Sequence, residues 1–129
     1  MEREGTDAEP SLAPVASAAA DRADAERLGA VLALSPEGAG LDELIRLIRF
    51  DADPRVRERA AVALAYAEDA RAVDALIAAT GDPDVRVALA AIETLAWSED
   101  RQARATLESL AGSDDARIAS AATRALEAP

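Results

Sequence analysis

Asp53-Pro54-Arg55-Val56-Arg57-Glu58-Arg59-Ala60-Ala61-Val62-Ala63-Leu64 reads as the start of a helix. Asp53 is placed to accept from the first free N–H groups, and Pro54 suits the first helical position, where its missing N–H costs little. Val56, Ala60, Ala63 and Leu64 then recur at helical spacing as a narrow stripe of small apolar residues. The stretch returns as Asp84-Val85-Arg86-Val87 through Leu95, and again as Asp115-Ala116-Arg117-Ile118 through Leu126, 31 residues further each time.

The same offset of 31 pairs Ile45 with Leu76 and Leu107, Ile48 with Ala79 and Leu110, and Trp97 with Tyr66. One segment departs from it: Asp53-Pro54-Arg55-Val56-Arg57 matches Asp82-Pro83-Asp84-Val85-Arg86 better at an offset of 29, which predicts an inter-repeat turn slipped by two residues. Working outward, helices are expected over about 21–34, with Asp21 as N-cap, and about 41–50, after the breaker Ser35-Pro36-Glu37-Gly38-Ala39-Gly40. Further helices follow over about 54–67, 70–80, 82–96, 100–111 and 115–128, with Gly81 and Gly112 as C-terminal glycines. Residues 1–20 carry Pro10, Pro14 and no apolar period, and read as a disordered acidic, Ala/Pro-rich tail ahead of one helical domain over 21–129.

Ala, Leu, Arg and Glu favour helix, and the chain holds one Phe, one Tyr and one Trp, so its core is built from small, closely packed contacts. Cysteine and histidine are absent, which excludes disulfides, Cys/His zinc sites, Cys nucleophiles and His bases. No apolar run reaches the length of a membrane span, and Glu2-Arg3-Glu4 does not open a signal peptide, so the expected location is cytoplasmic. The net charge of −11 opposes a phosphate backbone. Ten acids and three Arg lie in residues 1–43, against fifteen and eleven in the remainder, so the repeats are closer to neutral.

Two helices per 31 residues, stacked so that each pair covers the next, describe an all-α solenoid. The Asp-Pro turn, the Val56-Arg57 and Val85-Arg86 pairs, the Ala60/Ala63/Leu64 pattern and Leu76-Ile77 resemble the HEAT repeat family, in particular its short bacterial, PBS-lyase-type units. The resemblance implies a right-handed α-solenoid of antiparallel helix pairs, about seven helices in roughly three and a half repeats. It also implies a non-enzymatic adaptor for a protein or peptide, working without cofactor, metal, membrane or nucleic acid. The alternative it offers is an accessory subunit of an enzyme, or a bilin-lyase-like protein assisting cofactor attachment. HEAT-like DNA-repair glycosylases would need a basic groove, which is missing here.

Candidate binding residues fall into groups. Arg46, Arg49, Arg55, Arg57 and Arg59 form the one locally basic stretch, suited to carboxylates of an acidic or mixed-charge partner. Second helices, which line the concave face in the resembled fold, offer Asp42, Glu43, Arg46, Arg71, Asp74, Arg101, Arg104 and Glu108. Tyr66 and Trp97 are expected beside the core stripe, filling volume at the helix turns or else serving as anchors. The Asp53/Asp84/Asp115 and Arg55/Arg86/Arg117 ladder reads as capping plus salt bridging from repeat to repeat. The last helix has no second helix after it. It is expected to close the stack as a cap or to leave an apolar edge through which the monomer forms a weak dimer.

Overall fold

The computed structural model describes residues 19–67 and 69–128. The expected tail therefore lies outside the described residues up to 18, and residues 19–20 are already helical. The helices are α1 (19–31), α2 (Gly38–Phe50), α3 (Pro54–Ala63), α4 (Ala70–Ala79), α5 (Val85–Leu95), α6 (Arg101–Leu110) and α7 (Ala116–Glu127), with a 3-10 turn, Leu64–Tyr66, continuing α3. No strand occurs among the described residues.

The helices form two rows. In one, α3 packs on α5 and α5 on α7; in the other, α2 packs on α4 and, more thinly, α4 on α6. Contacts between α2 and α3, α4 and α5, and α6 and α7 join the rows. The molecule is thus an α-solenoid whose core follows the 31-residue register: Val56, Val87 and Ile118 are buried, as are Ala60, Ala91 and Ala122, and Leu41, Ala72 and Ala103. Alanine at these seams lets neighbouring helices approach closely while still excluding water. α5 is covered on both sides and buries the most residues, among them Thr94, whose hydroxyl donates to the Ala90 carbonyl at 2.8 Å.

Five helix starts use one device. Asp53, Asp69, Asp84, Asp100 and Asp115 each accept from an N–H two residues on, at 2.7–2.9 Å. Asp51 and Asp82, 31 residues apart, each accept from the N–H of the following capping Asp at 2.9 Å. Ser113 fills the same role for Asp115 through its hydroxyl at 3.1 Å. The turns therefore keep the register of the helices. The expected two-residue slip does not occur, because the match at 29 aligned the turn residue Asp82 with the cap Asp53.

Other boundaries differ for physical reasons. Asp21 lies inside α1 rather than capping it. α2 starts earlier than expected, taking in Gly38 at φ +57 and Gly40. Gly40 is required: a Cβ there would sit 2.2 Å from the Ser35 carbonyl oxygen. Gly81 is not a left-handed C-terminal residue, since Gly38 is the one positive-φ residue described; its N–H instead donates to the Ala78 carbonyl at 3.1 Å in a tight turn. On α7, Ile118 is buried and Leu126 half-buried, while Arg117, Thr123, Arg124 and Glu127 face outward, and no large apolar residue is exposed on that helix.

Candidate partner-binding site

The ladder is local. Arg55, Arg86 and Arg117 turn back onto the Asp that caps their own helix, at 2.7, 2.9 and 3.0 Å, and Arg71 does the same to Asp69 at 3.0 Å. Bridging between repeats falls to other residues. Arg27 reaches Asp51 at 2.7 Å and Arg71 reaches Asp42 at 3.0 Å. Arg57 grips the Asp82 carboxylate through Nε and Nη2 at 2.8 and 3.0 Å, and donates from Nη1 to the Asp51 carbonyl at 2.8 Å. The expectation of repeat-to-repeat bridging by Arg55, Arg86 and Arg117 is corrected accordingly.

This arrangement also divides the basic stretch. The Arg57 side chain is 14% exposed and fully engaged inside the stack, so the expected five-Arg docking patch is corrected at that position. Arg55 is held by Asp53, and Arg46 by Glu43 one turn back on α2. Arg49 lies on the α2/α4 row, where it lines a hollow of about 210 Å³ with Asp42, Ile45, Arg71 and Asp74. Arg59 is exposed on the other row. Arg49, Arg59 and Arg101 make no ion pair with a described residue, whereas Arg104 lies 3.9 Å from Glu108.

The carboxylates feel these partners. The Arg55 guanidinium and N–H hold Asp53 below the usual carboxylate range despite its burial. Arg71, Arg86 and Arg117 do the same for Asp69, Asp84 and Asp115. At Asp51, burial pushes the carboxyl up, but hydrogen bonds from Arg27 and the Asp53 N–H outweigh it and the net shift is down. Groups depressed on folding bind more protons when unfolded, so they stabilise the fold above the ordinary Asp value and lose that contribution as pH falls through the folded values. The melting temperature is expected to hold from neutrality to about pH 5 and to drop progressively below about pH 4. A melting curve unchanged to about pH 2 would show that the caps are not ionic.

A second groove lies at the turns between α3 and α4 and between α5 and α6. It encloses about 830 Å³. Leu64, Ala65, Tyr66 and Ala67 from the first turn line it together with Ala70, Val73 and Leu76 of α4, and Thr94, Trp97, Ser98, Glu99 and Asp100 line it from the end of α5 and the second turn. Tyr66 is 87% exposed and Trp97 73% exposed. The expectation that they lie beside the core stripe and fill volume is therefore corrected. Each stands two residues after a fully buried leucine, Leu64 or Leu95, and two helical steps turn a side chain to the opposite face. Tightening of the backbone to three-residue hydrogen bonds, Ala67 to Leu64 and Trp97 to Thr94, keeps them turned outward.

Among the described residues, no cluster of three His, Cys, Asp or Glu side chains is arranged to hold a metal ion, and no helix is long and apolar enough to cross a membrane. The family model for HEAT repeats matches residues 41–127. Comparisons with curated proteins and with solved structures give no match.

Proposed function

Since the chain belongs to the HEAT repeat family, whose repeats generally mediate protein–protein interaction, we propose that it is a non-enzymatic interaction module and that the Tyr66–Trp97 groove is where its partner docks. One observation carries the reading: two large aromatic side chains, at equivalent positions in successive repeats, are both exposed and both line one groove, together with Leu64, Val73 and Leu76. A chain with one Tyr and one Trp that leaves both in water, rather than using them as core, presents the residue types that most often anchor an interface. Tyr and Trp also bring large contact area at low side-chain entropy cost.

The proposed mechanism is binding alone. A segment of the partner lies across the two turns, its apolar side chains covering Leu64, Val73 and Leu76, while Tyr66 and Trp97 close over its edges. Truncating Tyr66 and Trp97 to alanine is expected to leave folding stability within about 0.5 kcal/mol of wild type, because neither supports the core. The same change is expected to weaken a purified partner by about 2 kcal/mol or more, measured by titration calorimetry. Unaltered affinity in the folded double variant would rule the groove out.

A further inference from the structure

We infer that the occupant of the Tyr66–Trp97 groove is a basic segment of a partner protein, one carrying Arg or Lys together with apolar residues; this rests on the groove being the docking site. The charge at the groove is one-sided. Among the described residues, its charged lining consists of Glu99 and Asp100, both exposed and both next to Trp97 in the chain, and no Arg lines it. Asp100 spends one carboxylate oxygen on the N–H groups of Gln102 and Ala103, at 2.7 and 3.4 Å, and Glu99 pairs with no described cation. This differs from the other hollow, where Arg49 and Arg71 face Asp42 and Asp74 and the signs balance.

Aromatic faces and carboxylates together select cations. Exposed Tyr and Trp rings attract positive charge, and the apolar stem of an Arg or Lys side chain can cover Leu64, Val73 and Leu76 while its head stays near the Glu99 carboxylate. A carboxylate in the same place meets aromatic rings and the two acids that line the groove. The chain's net charge of −11 acts in the same direction at longer range, speeding encounter with a basic partner and repelling an acidic one.

Three fluorescein-labelled peptides of one length test this by polarisation: alternating Arg and Leu, the same with Gln for Arg, and the same with Glu for Arg. The Arg peptide is expected to bind the full chain at least about tenfold more tightly than the Gln peptide, and the Glu peptide not at all. Its affinity should fall about tenfold in Trp97→Ala and severalfold in Glu99→Gln, and fall with added salt. Equal binding of the Arg and Gln peptides, lost in Trp97→Ala, would overturn the basic occupant while leaving the groove as docking site. Arg-peptide binding that Trp97→Ala and Glu99→Gln leave untouched would overturn both, since attraction would then come from the general negative charge. Failure of all three peptides to bind would overturn the inference as stated.

Discussion

Replacing Arg57 with alanine is expected to lower unfolding free energy by about 3 kcal/mol, because it strands buried partners. The Asp82 side chain is 8% exposed and loses both of its guanidinium bonds, and the Asp51 carbonyl loses a donor in the same step. Arg57 lies in α3 while Asp82 stands before α5, so the loss falls on the junction between successive repeats. Arg55→Ala provides the contrast. Arg55 is half exposed and closes on its own cap, so its removal is expected to cost about 0–1 kcal/mol. In a background that already carries Asp82→Ala, Arg57→Ala should cost markedly less than it does alone, since no buried carboxylate is then stranded. Urea unfolding checks all three; equal costs for Arg55→Ala and Arg57→Ala would show that the inter-repeat bridge contributes no more than a surface pair.

Leu95→Ala is expected to cost about 3 kcal/mol and to lower the melting temperature by about 10 °C or more. Leu95 is fully buried near the end of α5, the helix packed between α3 and α7 and also contacting α4 and α6. In a stack where each element stabilises its neighbours, a cavity there weakens an interface on both sides. Leu126, the same repeat position on α7, is half-buried, and among the described helices α7 packs on α5 and α6. Leu126→Ala is expected to cost about 1 kcal/mol by the same reasoning. Similar losses at the two positions would contradict the placing of α5 at the centre of the stack.

Much of this was legible in the sequence because the signal is periodic. Ala60, Ala91 and Ala122 sit 31 residues apart and are all fully buried, and the capping aspartates keep the same interval. What escaped was which charged and aromatic residues turn inward or outward. Charge density alone grouped Arg57 with Arg55 and Arg59. Its register said otherwise: the equivalent position in the next repeat is Ala88, which is buried, so Arg57 occupies an apolar slot and needs an internal partner. That partner is 25 residues away, beyond any local pattern. Tyr66 and Trp97 were misplaced because their scarcity suggested a packing role, whereas counting two steps on from Leu64 and Leu95 puts them on the solvent side.

The Arg57–Asp82 bridge and the groove proposed for docking are built from different residues. Arg57 ties the repeats together from within, and the exposed aromatics are left free of structural duty.

Trp97 is the single tryptophan of the chain, so its fluorescence reports on the groove alone. The most direct measurement is the emission spectrum and acrylamide quenching of the native protein, compared with the urea-unfolded chain. The arrangement described above predicts a native emission maximum close to that of the unfolded chain, and native quenching nearly as efficient. A blue-shifted native spectrum with strongly protected quenching would place Trp97 in the core and remove the aromatic wall on which the groove depends.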